Sequence, residues 1–546
     1  MKTFNKYIAL SLCAVSLAAC QDLDTEYLGA YDTTDQKKES LEKNPELALA
    51  SVTGIFANYS TYMTVFSNHF DFGYPAIMIG LDSQGQDMAG KQSGYNWYSY
   101  WEGWTSPTQS GTPAAMMWYH MYKNIKVCND LIATIDPATD NDELKFYRAQ
   151  GLAARAHDYF NLAQTFQFTY KGNETKPCVP IITDLNATEA GANGCGRATV
   201  EEVYAQIIAD LNEAIDLLTA TTITPESVID SKPKRLIGIA AAYGLRARVN
   251  LVMNKWSEAA SDAKTAIEKF TGRPYSMAEV SVPTFVSIDD PSWMWGIAIA
   301  ETDRVVTSGI VNFLSMMGTF TDGYNTAGAW RWCNKLLYES IPTRDVRKGW
   351  FLDENYTSTH LSAQQQAWVN DYINEDGATY DADQTAFIMP YTQVKYGTYQ
   401  NVVGQTVNAN DIPLMRIEEM YYIQAEATAM GGNPSGAKTM LEEFVKTYRN
   451  PGYAVTASTA EELQDEIWHE RRIELWGEGL SFFDVMRLNK DIDRRGAAFP
   501  NAYTYHIPAG SIELIYCIPQ GEITANPMIS ADDNNPNGTK PTPVGN

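Results

Sequence analysis

The sequence WHERRIELWGEGLSFFDVMRL, residues 468–488, concentrates charge, aromatic bulk and helical periodicity more than any other stretch of the chain, and we call it the signature segment. Glu470, Glu474 and Glu478 recur every four residues, which places their side chains on one face of a helix. Carboxylates beside arginines in so apolar a setting indicate either a catalytic acid and base or a buried ion-pair network that fixes how two helices meet. Ion pairing is the commoner role of charged helical runs.

The N-terminus predicts export. Two lysines precede an apolar run over residues 8–19, which is too short to span a bilayer and is typical of a signal peptide. The run ends in Leu-Ala-Ala-Cys at 17–20, which resembles the lipobox of bacterial lipoproteins, and the acidic residues 21–26 resemble the tag that directs Bacteroidetes lipoproteins to the outside of the outer membrane. We expect Cys20 to be lipidated and to anchor the chain; the alternative is an ordinary signal peptide that leaves Cys20 unmodified.

The charge of the chain limits its partners. The formal net charge is −25, and it becomes −27 when Lys2 and Lys6 leave with the signal peptide. Phosphate binding needs clustered lysine and arginine, so this charge disfavours nucleic acids and anionic lipids as partners. Neutral ligands are the natural expectation.

The cysteines show no metal or redox motif. Those that remain besides Cys13 and Cys20 are Cys128, Cys178, Cys195, Cys333 and Cys517, and none of them has CxxC spacing. Cys178 and Cys195 flank a glycine-rich loop. In an oxidising compartment they either form a disulfide or stay as free thiols, and the sequence favours neither outcome.

Amphipathic periodicity predicts a mainly α-helical protein whose helices stack as a tetratricopeptide-like superhelix. Small residues spaced along 236–269 allow two antiparallel helices to approach closely, and weaker versions of this pattern occur at 144–164 and 420–448. The predicted helices span residues 42–63, 113–135, 142–166, 199–218, 235–253 and 256–270.

Two stretches interrupt the helical rhythm and are rich in Gly, Pro, Asp, Asn, Tyr and Trp: residues 64–112 and 271–411. They predict irregular, loop-rich regions poor in strand, with some helix in the second. The predicted organisation is a signal peptide at 1–19, a lipid-anchored linker at 20–39, a helical scaffold at 40–270, a loop-rich variable region at 271–411, C-terminal helices at 412–524 and a poorly ordered tail at 525–546.

Both loop-rich stretches carry aromatic sets. Residues 95–104, YNWYSYWEGW, contain six aromatic residues at spacings that fit neither a helix face nor a strand. Aromatic faces stack on the C–H faces of sugar rings, and Tyr and Trp add hydrogen-bonding groups, so this composition suits carbohydrate. The alternative is that most of these rings attach the loop to the helices beneath it. A second set comprises Trp293, Trp295, Tyr324, Trp330 and Trp332, and the two loops could converge on one site.

Motifs for cofactors and metals fail on their essential residues. Residues 85–92, GQDMAGKQ, nearly match a phosphate-binding P-loop, but Gln92 replaces the Ser or Thr that would hold magnesium. The His-Glu pair at 469–470 starts like the HExxH motif of zinc proteases, yet Ile473 occupies the position of the second histidine. We therefore expect no cofactor and no metal. Hydrolysis by two carboxylates stays open because their separation in space is not visible in a sequence.

These features together resemble the SusD/RagB family of Bacteroidetes surface lipoproteins, which bind glycans beside a TonB-dependent transporter. The resemblance covers the mature chain and rests on the lipobox, the acidic tag, the tetratricopeptide-like helices and two motifs. The motifs are Glu-Arg-Arg-Ile-Glu-Leu at 470–475 with Gly-Glu-Gly at 477–479 and Phe-Asp-Val-Met-Arg at 483–487, and Ile-Pro at 518–519 with Glu-Ile at 522–523 and Asn-Pro at 526–527. Ser481 stands where many relatives carry arginine, which puts one ion pair in doubt.

The resemblance implies a non-enzymatic, mostly helical protein, anchored in the outer membrane and facing the cell exterior. It would capture oligosaccharides and deliver them to a SusC-like TonB-dependent transporter. The signature segment would then be architectural, with ion pairs that fix helix register. The residues expected in these pairs are Glu470, Arg471, Arg472 and Glu474, with Asp484 and Arg487 as further partners. Two alternatives remain: peptide cargo on the same scaffold, and a glycoside hydrolase.

Ligand sites in the family draw on the two loop-rich regions, so the resemblance and the aromatic composition together place the ligand there. The predicted stacking platforms are Trp97, Trp101, Trp293 and Trp330. The predicted polar contacts are Asp71, Asp82, Asn96 and Arg331, although Asp is also an ordinary turn residue.

Overall fold

The computed structural model describes residues 34–92, 95–104, 108, 110–373 and 388–545. Within these residues the chain is mainly α-helical, and its short strands pair in twos. The helices are α1 Thr34–Lys43, α2 Ala48–Asn58, α3 Tyr74–Gln84, α4 Ser99–Glu102, α5 Thr112–Thr134, α6 Asp142–Phe166, α7 Ala187–Asn193, α8 Val200–Thr219, α9 Pro225–Val228, α10 Ile239–Val252, α11 Trp256–Lys269, α12 Arg304–Thr307, α13 Phe313–Met317, α14 Lys335–Ser340, α15 Ala363–Asn370, α16 Ile417–Met430, α17 Pro434–Tyr448, α18 Ala460–Glu474, α19 Ser481–Arg487 and α20 Gln520–Ala525. The strands are β1 Met88–Gly90, β2 Trp293–Ile297, β3 Arg331–Cys333, β4 Ile412–Arg416, β5 Ile492–Asp493 and β6 His506–Ile507.

The long helices form the packed pairs that the spacing of small residues predicted. Helix α5 packs on α6, α6 on α8, and α10 on α11. Helix α11 then packs on α16, which in turn contacts α17 and α18. Because α16 follows α11 in space, the chain between these two helices is an insertion into a continuous helical stack. The packing around α10 is close, since a Cβ on Gly244 would lie 2.5 Å from Met415 Sδ.

Side-chain caps explain where several helices begin. Asn141 accepts hydrogen bonds from the backbone N–H groups of Glu143 and Leu144 in the first turn of α6, and Thr199 opens α8 with a capping box. One predicted boundary is wrong. The helix expected over 42–63 is divided into α1 and α2, because Pro45 has no N–H to continue the hydrogen-bond ladder of α1.

The two loop-rich stretches are joined by a small antiparallel sheet. Strand β1 comes from the first stretch and β3 from the second, and they pair with Met88 opposite Cys333 and Gly90 opposite Arg331. Strand β2 pairs with β4, which leads directly into α16. These strands are only 3 to 5 residues long, and hydrophobic periodicity in the sequence did not reveal them.

The C-terminal tail is ordered, so the prediction of a poorly ordered segment at 525–546 is wrong for its described residues. Asn535 is buried, and its Nδ2 donates to the carbonyl oxygens of Phe166 and Tyr516 at 2.7 Å each. Arg197 Nη2 donates to Asn535 Oδ1 at 2.9 Å. The Asn535 amide satisfies the carbonyl of Phe166, the last residue of α6, and composition alone does not disclose that role.

The cysteine pair that the sequence left open consists of two free thiols. Cys178 is fully buried, and burial raises the pKa of its thiol to about 12. The Cys195 thiol lies 3.6 Å from the carbonyl oxygen of Ile181. Neither side chain contributes a cross-link to the loop between them.

The ion pairs predicted for the signature segment are present and buried. Glu474 accepts hydrogen bonds from Arg416 Nη1 at 3.0 Å and from Arg449 Nε at 2.7 Å. Glu478 accepts from Arg416 Nη2 at 2.7 Å and from Lys395 Nζ at 2.6 Å. Burial opposes ionisation, but the guanidinium groups of Arg449 and Arg416 hold the pKa of Glu474 below its ordinary value. Carboxylates enclosed in this way are structural rather than catalytic.

The predicted partners within the segment also pair. Asp484 accepts from Arg471 Nε at 2.8 Å and from Arg487 Nε at 2.7 Å. Arg487 Nη1 also donates to Glu426 Oε1 of α16 at 2.5 Å. This half of the network fixes α18, α19 and α16 against one another.

Other partners of the segment are far away in sequence. Glu470 Oε2 lies 2.5 Å from Arg347 Nη2 in the insertion. Arg472 Nη2 donates to Asp87 Oδ1 at 2.5 Å, and the Ser481 hydroxyl donates to Asp87 Oδ2 at 2.8 Å. Serine thus supplies a hydrogen bond at the position where an arginine was expected from relatives. The signature segment holds both loop-rich stretches against the helical stack.

Replacing one carboxylate of this network is expected to destabilise the fold. The Glu474→Gln substitution removes the charge that balances Arg416 and Arg449, so we expect a loss of about 3 to 5 kcal/mol in the free energy of unfolding. Urea denaturation followed by circular dichroism measures it. The matched control is Asp130→Asn, which breaks an exposed pair with Lys126 and should change stability by less than about 1 kcal/mol. Equal losses in the two variants would contradict this role for Glu474.

Candidate functional site

Three of the four predicted stacking platforms lie in the core. Trp101, Trp293 and Trp330 are 2%, 0% and 1% exposed. A Cβ on Gly80 would lie 2.6 Å from Trp101 Nε1, which shows how closely α3 approaches this ring. These indoles have no solvent-facing surface on which a sugar could stack. They attach the loops to the helices beneath, which is the alternative considered from the sequence, and we leave them out of the proposed site.

Asp71, predicted as a polar ligand contact, organises the loop between α2 and α3. Its Oδ2 accepts from the backbone N–H groups of Val65 at 2.6 Å and Phe66 at 2.8 Å. Its Oδ1 lies 3.0 Å from His120 Nε2 on α5. Burial opposes ionisation, but the hydrogen bond with His120 helps to keep the pKa of Asp71 below its ordinary value. Asp71 is fully buried and faces these groups rather than solvent.

The remaining polar predictions are also internal. Arg331 Nη2 donates to Asn96 Oδ1 at 2.6 Å, and Asn96 Nδ2 donates to Glu102 Oε2 at 2.8 Å. This buried trio lies beneath the first aromatic set, and burial raises the pKa of Glu102 to about 7. Asp82 accepts the backbone N–H of Gly479 at 2.8 Å, which connects α3 to the signature segment. Asn96 and Arg331 are therefore in contact, as expected for two residues of one site. Their contact lies inside the protein and not on an exposed surface.

Four rings from both loop-rich stretches meet near the surface, and we call His69, Tyr95, Trp97 and Tyr324 the aromatic cluster. Ring centroids lie 5.2 Å apart for His69 and Trp97, 5.9 Å for Trp97 and Tyr324, and 6.5 Å for Tyr95 and Tyr324. The Tyr324 hydroxyl is hydrogen-bonded to His69 Nδ1. Tyr95 is 55% exposed, Trp97 is half-buried, and Tyr324 is 4% exposed. Tyr324 thus supports two rings that reach solvent.

The predicted residues missed three members of this cluster: His69, Tyr95 and Tyr324. Tyr95 and Tyr324 belong to the two aromatic sets, but only tryptophans of those sets are among the predicted stacking platforms. The local sequence held a usable signal: Tyr324 follows Asp322 and Gly323, residues typical of turns, whereas Trp293 lies in the apolar run of β2. His69 had no distinguishing signal in the sequence.

The cluster offers ring faces and one exposed phenol for contact with a ligand. Its members carry no carboxylate and no thiol. Across the described part of the chain, no group of three or more His, Cys, Asp or Glu side chains could hold a metal ion. The exposed face of Tyr95 and the half-buried face of Trp97 can contact the C–H groups of a polar ligand, and the Tyr95 hydroxyl can form hydrogen bonds with its hydroxyl groups, whereas the Trp97 indole N–H is buried.

Two family models match this chain. One, described as starch-binding and associating with the outer membrane, matches residues 41–251, and the SusD family model matches residues 334–537. The chain belongs to the SusD/RagB family. The second match contains the signature segment and its buried partners Arg347, Lys395, Arg416 and Arg449, whereas Asp87 lies in the first match.

Solved SusD/RagB structures share the fold at low sequence identity. A SusD-like carbohydrate-binding protein from Bacteroides vulgatus is 22% identical, with a TM-score of 0.70 over 89% of this chain and 97% of that one. Surface glycan-binding protein A from Bacteroides thetaiotaomicron, solved with laminarihexaose, is 18% identical, with a TM-score of 0.62 over 88% and 98% of the two chains.

A SusD-like protein P38 from Formosa agariphila is 22% identical over 424 residues, 71% of this chain and 75% of its own.

The residues predicted to attach the chain to a membrane lie outside the described part of the chain. The signal peptide and the lipidation predicted at Cys20 fall within the first 33 residues. Among the described helices, none combines the length and the apolar character that a bilayer crossing needs.

The anchoring of the loop by Asp71 can be tested directly. In Asp71→Asn the buried side chain loses the charge that binds two backbone N–H groups, so we expect about 1 to 3 kcal/mol less stability in residues 64–71. Hydrogen exchange of the Val65 and Phe66 amides should therefore accelerate. The amides of α17 serve as an internal control and should keep their exchange rates. Unchanged exchange at both loop amides would refute the anchoring role.

Proposed function

We propose that this protein is a non-enzymatic glycan-binding lipoprotein of the cell surface, which captures oligosaccharides at the aromatic cluster and passes them to a SusC-like TonB-dependent transporter. The observation that carries the proposal is the convergence of Trp97 and Tyr324 from two separate loops under the exposed Tyr95. Membership of the SusD/RagB family supports it, as does the relative solved with laminarihexaose.

The cluster suits a sugar on physical grounds. A pyranose ring presents a face of C–H groups to an aromatic ring, and its hydroxyl groups seek hydrogen bonds around the edge. Tyr95 offers a phenol in solvent, and Trp97 offers part of an indole face. Because Tyr324 and His69 are hydrogen-bonded beneath them, these rings are held in place before a ligand arrives. Such preorganisation lowers the entropic cost of binding.

Binding without turnover agrees with the placement of the carboxylates that drew attention in the sequence. A glycosidase needs two carboxyl groups on either side of the scissile bond. Glu474 and Glu478 are instead enclosed by arginine and lysine in the interior. The aromatic cluster has no acidic member. We therefore favour capture over hydrolysis.

Attachment and delivery rest on the family resemblance. A lipidated Cys20 would hold the protein at the outer membrane without a spanning helix. The same resemblance places the cluster on the cell exterior. It also implies a SusC-like partner, because a binding protein of this kind needs a transporter that imports its ligand.

The first test removes rings from the cluster. We expect Trp97→Ala and Tyr95→Ala each to weaken oligosaccharide binding about tenfold, because each removes a stacking face. Isothermal titration calorimetry against a panel of neutral glycans measures the effect. The control is Tyr448→Ala on α17, which removes a half-buried ring packed on Phe444 outside the cluster. Affinity that survives both cluster substitutions would exclude the cluster as the binding site.

A second test separates the alternatives. Incubation with each bound polysaccharide should release no new reducing ends, because the site lacks a pair of catalytic carboxylates. Reducing ends that increase with time and with protein concentration would make the protein a glycosidase. A protein that ignores all glycans but captures peptides would have the alternative cargo.

A further inference from the structure

A cavity of about 640 Å³ opens between the end of α2 and strand β2. Tyr62 belongs to its wall and lies on the loop between α2 and α3, residues 59–73, which also carries His69 of the aromatic cluster. One loop therefore contributes to both the cavity and the cluster. Residues that line the cavity include Tyr62, Ser231, Lys232, Arg235, Arg304 and Tyr399.

The cations of this cavity differ in how they are balanced. Lys232 Nζ lies 2.7 Å from Asp411 Oδ1 and donates to the carbonyl of Ile299 at 2.7 Å, so its charge is paired. Arg235 and Arg304 form no ion pair with any carboxylate of the described chain. Two unpaired guanidinium groups on one cavity are unexpected in a protein with 66 acidic residues and 41 basic ones.

Each of these arginines has hydrogen-bonding capacity to spare. Arg235 Nη2 donates to the carbonyl of Ser231 at 3.2 Å, while its Nε is buried and has no acceptor among the described residues. Arg304 is exposed, and its guanidinium lies over the Tyr62 ring at 5.2 Å from the centroid. Stacking on an aromatic ring leaves the N–H groups at the edge of the guanidinium free to donate.

The acidic residues of the wall are used locally. Glu301 accepts from the Tyr399 hydroxyl at 2.8 Å, and Asp303 accepts from the backbone N–H of Ala300 at 2.8 Å. These bonds engage both carboxylates, and within the described structure neither forms an ion pair with Arg235 or Arg304.

We propose that this cavity is a subsite for an anionic substituent of the glycan, a sugar carboxylate or a sulfate ester, held by Arg235 and Arg304. The proposal rests on the proposed function, since it assumes that a glycan occupies the aromatic cluster. The forked N–H groups of arginine match the geometry of a carboxylate or sulfate oxygen pair. Because the loop between α2 and α3 contributes to both surfaces, an oligosaccharide that occupies the cluster can extend its neighbouring units towards the cavity.

The negative charge of the whole protein does not exclude an anionic sugar at this position. At physiological ionic strength, charges beyond about 8 Å are largely screened. The two arginines act at contact distance, where hydrogen bonds to charged groups are strongest. Local pairing therefore outweighs the repulsion from distant surface carboxylates, which still disfavours long polyanions such as nucleic acids.

Calorimetry with matched pairs of ligands tests this subsite. One pair is an oligogalacturonide and its carboxyl-reduced neutral form, and the other is a sulfated carrageenan oligosaccharide and its desulfated form. Laminarihexaose serves as the neutral reference. We expect the acidic member of at least one pair to bind about tenfold more tightly than its neutral counterpart, with an advantage that declines as salt increases.

Variants assign the preference to the two arginines. Arg304→Gln and Arg235→Gln should each abolish the preference for the acidic form while leaving the affinity for the neutral form unchanged. Arg304→Lys should keep part of the preference, because it keeps the charge but loses the forked geometry. The control is Arg344→Gln, which removes an equal charge from an exposed arginine that does not line the cavity.

The outcomes separate the two proposals. Neutral glycans that bind as tightly as acidic ones would overturn the subsite and leave the proposed function standing. A preference that survives both glutamine variants would also overturn it. If no glycan in any pair binds, the proposed function itself fails, and the subsite with it.

Discussion

The fold depends on the burial of Glu474 between Arg416 and Arg449. Removing charges from water is costly, and the cost is offset only when every charge has a partner at hydrogen-bonding distance. Arg416 meets that condition by binding Glu478 as well, and Glu478 in turn binds Lys395. A network with so many shared members specifies one arrangement of the elements that contribute to it, since moving any one of them leaves a buried charge unpaired. The helical stack supplies most of the apolar burial, and the network fixes the loops relative to that stack.

The helical scaffold could be predicted from the sequence because amphipathic helices repeat their apolar residues at a regular spacing. The small residues spaced along 236–269 correspond to the close packing of α10 on α11, and the helix predicted from residue 199 is capped by Thr199. The charges of the signature segment also indicated a buried ion-pair network. The identities of distant partners, such as Arg347 and Lys395, could not be predicted, because loops have no periodicity that relates position in sequence to position in space. The order of the tail was hidden for the same reason: a single amide, that of Asn535, holds it to α6.

The binding surface was harder to predict than the scaffold. Tryptophan serves both as a core residue and as a sugar platform, and its large apolar area favours burial wherever a loop crosses a helix. Trp101, Trp293 and Trp330 lie in the core, whereas Trp97 is half-buried and Tyr95 is exposed. Polar residues followed the same rule: Asp71 and Asn96 are needed to satisfy backbone and side-chain groups inside the loops that present the rings. Amino-acid composition indicated which loops carry the candidate site. Only the three-dimensional contacts distinguish the residues that support these loops from the residues that reach solvent.

The pairing of the insertion with α18 has a consequence for the order of folding. Arg347 can pair early with Asp345, but Lys395 is synthesised before its partner Glu478, and its charge stays unbalanced until that residue arrives. The first loop-rich stretch waits longer still, since Asp87 binds Arg472 across 385 positions. Contacts of such wide sequence separation form slowly, because the loop must close before the contact can stabilise it. The early helices can pack as they emerge, but the aromatic cluster should acquire its final shape only when almost the whole chain is present.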